Sequence, residues 1–321
     1  MKTPRHVNLC SEDLAAALRW IHVDMSPRDV ELLVEEAVLR SSVHGGQLGI
    51  AQLPMLSWHE RECIAGSYFK VLSGNVATLG GVRAVPGWEQ AAVNILTGQI
   101  DGLNRLGLSQ VQAIVRAQDR ATAELVQRAG MQLLTEIEHL WLDVCAFASL
   151  ASDASRAAAS MRAAAVRERV STVEWRAVGA MNHDVLARFI DETFAGTLDC
   201  PALNGRRTPA EVLDGFLDGR QLSDVNLHWE LLAVDQAPVG CLLMQAYESD
   251  LMELVYMGLV PTARGRGLGK AMVARAIANA QRRACSNLVV AVDRDNWPAR
   301  NVYLDWGFQP HQRLQVWLAS R

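Results

Sequence analysis

The chain reads as an α+β protein in which mixed sheets are flanked by helices. Three observations predict that class: alternating segments around a hairpin in the second half, a strand that breaks into a glycine turn and then a helix, and a repeat of the same element order across the chain. In the second half, residues 172–178 (TVEWRAV) alternate and open the sheet. His183–Phe194 has helical spacing with Asn182 placed as its cap, a polar loop follows at 195–207, and Pro209–Leu217 makes a second helix. Leu227–Val234 and residues 239–247 form a hairpin through Asp235-Gln236-Ala237-Pro238, and the strand 253–259 comes next. The apolar segment 287–292 is a buried strand, and Pro298 and Gly307 mark the start and end of a short helix after it.

The first half repeats this order. An offset of 177 residues carries Gly130 onto Gly307 without a gap, and also Gly81 onto Gly258, Ile100 onto Ile277, Arg105 onto Arg282, Ser109 onto Ser286, Val115 onto Val292 and Gln132 onto Gln309. A strand to Val82, a helix over 88–106, a strand over 110–115, a helix over 121–129 and a strand to about Val144 mirror the second half. A duplicated unit explains both the identities and the order. The expected organisation is a domain over 1–148, an alanine-rich helical connector over 149–171, and a second domain over 172–321.

Composition limits the function classes. The 321 residues are 50% hydrophobic and 21% charged, as expected of a globular chain with core enough for two domains. A net charge of −4 argues against a general nucleic-acid binder. No run reaches the roughly 18 apolar residues of a membrane span, and the N-terminus has no signal-peptide core, so a cytoplasmic protein is expected. The six cysteines show no C-x-x-C or finger spacing and the eight histidines no H-x-x-x-H, so no metal site is assigned.

The chemistry concentrates in residues 251–271, where an apolar strand enters Arg264-Gly265-Arg266-Gly267-Leu268-Gly269-Lys270 and a helix follows. Alternate glycines let the backbone point several N–H groups into one concavity. The helix N-terminus adds unpartnered N–H groups and the positive end of its dipole. Arg264, Arg266 and Lys270 add charge, which together makes a pyrophosphate cradle. The spacing is not a P-loop, because Arg264 lies five residues before Gly269 and Ala271 follows the lysine; nor is it the dinucleotide fingerprint G-x-G-x-x-G.

Arg264-x-x-Gly267-x-Gly269 instead matches Arg/Gln-x-x-Gly-x-Gly/Ala, the acyl-CoA loop of the GNAT acyltransferases. Downstream, Asn296, Ala299, Tyr303 and Gly307-Phe308 match that superfamily's Asn-x-x-Ala-x-x-x-Tyr-x-x-x-Gly-Phe. Roughly 172–321 resembles a GNAT domain, and the whole chain a tandem of two, each a mixed, mostly antiparallel sheet flanked by helices. The resemblance implies acetyl-CoA or another acyl-CoA as co-substrate, bound along Arg264 to Lys270 and by backbone groups of Met257, Leu259 and Val260 where two strands part. It implies Glu253 as the base that deprotonates an amine and Tyr303 as the acid that protonates the CoA sulfur. Asn296 either contacts the pantetheine arm or caps its helix; Glu253 and Tyr303 have plain readings too, an edge-strand carboxylate in solvent and a core ring.

In the first copy Gly87, Gln90 and Ala92 stand at the positions of Arg264, Gly267 and Gly269, and Val76 and Val126 at those of Glu253 and Tyr303, so it reads as degenerate. The implied activity is N-acyl transfer to a small-molecule amine by a monomer or homodimer. Its acceptor would sit against Asp191, Glu192, Asp199, Cys200 and Asn204, with Cys200 lining rather than attacking. A protein or peptide acceptor and a non-catalytic acyl-CoA sensor remain the alternatives.

Overall fold

The computed structural model describes residues 11–22, 25–26, 28–35, 55–59, 62–150, 173–179, 181–247 and 250–320. The expected helical connector at 149–171 falls almost wholly outside them.

In chain order the elements are α1 (Ser11–Ile21), β1 (Met55–His59), β2 (Glu62–Leu72), β3 (Val76–Ala84), α2 (Glu89–Arg105), β4 (Gln110–Arg116), α3 (Arg120–Arg128), β5 (Met131–Asp143) and α4 (Val144–Leu150). The second half continues with β6 (Val173–Ala177), α5 (His183–Phe194), α6 (Pro209–Leu217), β7 (Leu227–Val234), β8 (Ala237–Ala246), β9 (Leu251–Leu259), α7 (Leu268–Arg282), β10 (Asn287–Asp293), α8 (Trp297–Asp305) and β11 (Gln309–Ala319). The offset of 177 read from the sequence carries β4 onto β10 and α3 onto α8 residue for residue.

Two compact units result, but not at the expected boundaries: one holds residues 1–134 with 315–321, the other 135–314. The divisions fall inside β5 and β11, so each unit takes strand residues from the other half of the sequence. Strand pairing of this range leaves no local mark in a sequence, since it is fixed by side chains more than a hundred residues apart.

In the first unit the sheet order is β1-β2-β3-β4, followed by residues 315–319 of β11. Its core joins Phe69, Leu96, Leu103, Val126 and Met131 with Trp317 and Ala319. β3 and β4 are parallel over only three pairs, Val76–Gln110 to Thr78–Gln112. At the head of α2, where the second copy has its glycine loop, Glu89 accepts the Gly87 N–H at 2.9 Å. That bond and one from its own backbone N–H hold the carboxyl below the usual range. An anionic side chain at the helix N-terminus disfavours a second anion there.

In the second unit the order is β5-β10-β9-β8-β7-β6. β10 runs antiparallel to β5 on one side and parallel to β9 on the other; β6 to β9 form an antiparallel meander. The β7–β8 hairpin turns through Asp235 and Gln236, both at positive φ (50° and 68°), the conformation of a two-residue primed turn. α7 and α8 cover one face through Met272, Val273, Ile277, Leu288, Val290 and Phe308, and α5 and α6 cover part of the other through Leu186, Ile190, Leu213 and Leu243. Glu138, 1% exposed, reaches the α7/α8 side, where Arg300 bonds it at 2.7 Å and Arg313 lies at 3.5 Å.

Candidate active site

The site begins at a defect in the sheet of the second unit. β9 and β10 pair only from Leu251–Asn287 to Leu254–Val290. At that point β9 carries a bulge: Leu243 faces Tyr256 and Met244 faces Leu254, so Val255 is an extra residue. A bulge bends its strand and increases its twist, which accounts for β9 leaving β10 there while β10 keeps its ladder with β5 to the end.

The parted edge of β9 has unmade hydrogen bonds. Val260 donates its N–H to the Val239 carbonyl at 2.9 Å, and in an antiparallel ladder bonded pairs alternate. Met257 and Leu259 therefore turn their backbone groups away from β8 and toward the gap. The Leu259 carbonyl accepts from Arg264 Nε at 3.1 Å. Both Met257 groups and the Leu259 N–H face the gap, while Val260, expected to share that role, has its N–H committed to β8 and its carbonyl to Ala263.

Beyond β9 the chain makes a short turn at Pro261–Ala263 and then the glycine loop. Gly265 (φ 72°) and Gly267 (φ 82°) are left-handed, and Gly267 caps α7 with no side-chain hydrogen bond. A residue with Cβ is strained at either position. The first N–H groups of α7 are open to an acceptor, apart from Lys270 N–H, which bonds the Gly267 carbonyl at 3.1 Å.

The three cations of the loop have different uses. Arg266 is exposed and has no ion-pair partner among the described residues. Lys270 Nζ pairs with Asp305 of α8 at 3.1 Å. Arg264 departs from expectation: its guanidinium donates to the carbonyls of Leu259, Gly196 (2.9 Å) and Thr193 (2.8 Å). It is a clamp between the end of β9 and the end of α5, and its charge is not presented to a ligand. Arg264→Lys, which cannot reproduce the planar fork, is expected to lower unfolding free energy by about 2 kcal/mol. Chemical denaturation checks it; an unchanged midpoint would mean that the clamp contributes nothing.

Tyr303 is on the buried face of α8, 4% exposed, its ring 5.6 Å from that of Phe308. Its hydroxyl has no hydrogen-bond partner among the described residues, and it is not one of the fully buried polar atoms left unsatisfied, so the oxygen retains some accessible surface although the ring is buried. Burial, then the nearby Asp199 carboxylate and Tyr256 phenol, raise its pKa above the ordinary tyrosine value. Tyr256 belongs to the opposite face, against Phe194 (4.9 Å) and Phe216 (5.2 Å) of α5 and α6.

The loop after α5 closes on the end of β10. Asp199 accepts the Asp293 N–H at 2.8 Å, and Asp293 accepts the Cys200 N–H at 3.0 Å and the Thr135 hydroxyl at 2.9 Å. Burial raises the Asp199 pKa and the Asp293 charge adds to it, against hydrogen bonds from Asp293 and Asn296. Asn296 accepts the Ala299 N–H at 3.4 Å and so caps α8. Burial and both aspartates push the Cys200 thiol up, out of the range in which a thiolate forms near neutrality. Asp191, Glu192 and Asn204 stay exposed and do not join this group.

Glu253 is in the paired part of β9, opposite Val289 and Gln245. It is partly buried and accepts the Tyr247 hydroxyl at 2.7 Å. Sequence reading did not single out Tyr247, Tyr256, His139 or His311; the last two stand on β5 and β11, and only strand register brings them to this face. Among the described residues no cluster of ligating side chains holds a metal, and no helix is long and apolar enough to cross a membrane.

Residues 195–308 match the acetyltransferase (GNAT) family. A mycothiol acetyltransferase of Renibacterium salmoninarum is 31% identical over 96 residues, 29% of this chain and only 26% of that protein's length. Among solved structures, a GCN5-related N-acetyltransferase from Sphaerobacter thermophilus superposes with a TM-score of 0.56 at 16% identity, covering 97% of this chain and 93% of that one. A tandem GNAT protein from the clavulanic acid biosynthesis pathway gives 0.51 at 12% identity, covering 97% and 96%. Both show likeness of fold. The match to the GNAT acetyltransferase family thus lies within residues 195–308, and the chain as a whole shares the fold of tandem GNAT proteins.

Proposed function

We propose that the protein transfers an acyl group, acetyl from acetyl-CoA, to the primary amine of a small molecule by direct attack in the C-terminal unit. The observation that carries this reading is the parting of β9 from β10, whose rim is unpaired backbone and whose end is the glycine loop at the uncapped start of α7. The loop and the α7 N-terminus would take the diphosphate, with Arg266 as the cation free to approach it. Met257 and Leu259 would bind the amides of the pantetheine arm, and the Met257 N–H would polarise the thioester carbonyl. Glu253 would receive the amine, and Tyr303 would donate to the departing sulfur. We place the protein in the cytoplasm as a monomer or homodimer; the mycothiol acetyltransferase match supports a small acceptor without naming it, because it spans so little of that protein.

Titration calorimetry with acetyl-CoA, paired with thiol release across a panel of primary amines, tests this. Binding in the micromolar range and release with at least one amine are expected. Binding without release from any amine or peptide would favour a sensor, and absence of binding would remove the reading.

A further inference from the structure

One strand of the C-terminal unit comes from the far half of the sequence, and it brings a base. On the face opposite α7 and α8, β5, β10 and β9 place residues in rows: Trp141, Val289 and Glu253 in one, His139 and Ala291 in the next. Ala291 is exposed although its strand lies inside the sheet, so none of the described residues covers this face there. It is also the first residue of β10 past the last pair with β9, which puts the exposed floor beside the parting of the two strands. His139 and Glu253 stand two strands apart and one row out of step, which sets their Cα atoms about 12 Å apart, with room for a few-atom amine between their side chains.

We propose that His139 takes the proton from the acceptor amine, across the Ala291 floor from Glu253, which holds the incoming ammonium. This rests on the transferase reading above. The substrate class it implies is a compact primary amine, cationic when it binds and flanked by the Trp141 ring on the β5 side. Glu253 suits holding better than proton removal, for its carboxylate already accepts the Tyr247 hydroxyl, and imidazole is intrinsically the stronger base by about two pKa units. The proton count closes: the ammonium gives one proton to neutral His139; the free amine forms the C–N bond as the C–S bond breaks. The second nitrogen proton replaces the one Tyr303 gives the thiolate, and His139 releases its proton to solvent.

The groups facing His139 are named by the register. Glu253 on β9 favours its charged form and His311 on β11 opposes it. Asp293 at the end of β10 is tied to Thr135, Cys200 and Asp295. Burial outweighs these and lowers the His139 pKa from 6.5, so the ring is neutral at pH 7 and ready to accept.

His139→Gln and His139→Asn test the proposal in the full-length protein, with tryptamine, glucosamine, spermidine and lysine as acceptor probes. The wild-type kcat should rise with pH through an inflection below 6.5. Both variants should lose about 100-fold in kcat, lose that inflection, and keep their acetyl-CoA affinity. His228→Gln, at a half-buried histidine on β7, should keep the rate and the inflection. Retention of the inflection and rate in His139→Gln, or a matching fall in acetyl-CoA affinity in both variants, would overturn the role of His139 and leave the transferase reading standing. A wild type that releases no thiol with any probe would overturn that reading, and this proposal with it.

Discussion

Gly267→Val is expected to abolish measurable acetyl-CoA binding, a loss of at least about 100-fold. The argument combines two effects at one residue. Gly267 has φ 82° and ψ 0°, a conformation that costs an L-residue about 1–2 kcal/mol and a β-branched one more. Its side chain would also stand at the N-cap of α7, where no side chain now covers the first N–H groups. The strain alone would lower stability without touching a ligand, so the two must be separated. Gly107→Val does that: φ is 75°, an added Cβ meets nothing within 4 Å, and the residue lies in the first unit. Gly107→Val should lower the unfolding midpoint by a similar amount and bind acetyl-CoA normally. Normal affinity in Gly267→Val would remove the cradle from this loop.

The same loop shows what a sequence carries and what it withholds. Alternate glycines after an apolar strand are a local code, because positive φ is a property of one residue and its neighbours; Gly265 and Gly267 are both left-handed, as that code requires. Helix limits are equally local: α5 and α6 begin at the caps Asn182 and Thr208, whose side chains accept from the first-turn N–H groups. Arg264 is different. Its motif position is plain in the sequence, yet its partners are carbonyls at residues 193, 196 and 259, two of them some seventy residues away. The bulge at Val255 has no sequence signal either, for Val255 suits any strand, and the bulge decides where β9 parts from β10. His139 is the furthest case. It lies in the first copy, and only the antiparallel register of β5 on β10, with β9 beyond, brings it onto the face that Glu253 shares.

Tyr303→Phe should lower kcat by about 100-fold while acetyl-CoA affinity changes by less than about 2-fold. The exchange keeps the ring, and with it the packing on Phe308 and the place of this α8 residue in the core. Only the hydroxyl goes, and it has no hydrogen-bond partner among the described residues, so no protein group is left unpaired. Stability should therefore hold, since no hydrogen bond within the described residues is lost and the ring packing is kept. That distinguishes the two roles open to this residue. A structural tyrosine would show its loss in the melting midpoint and in ligand affinity together. A donor to sulfur shows it in turnover alone, because the bond to the thiolate strengthens only as charge develops there. The raised pKa adds a second check: the phenol stays protonated well above pH 10, so the wild-type rate should not fall on the alkaline side through titration of Tyr303. Equal losses of affinity and turnover in Tyr303→Phe would return the residue to the core and leave the sulfur without its proton donor.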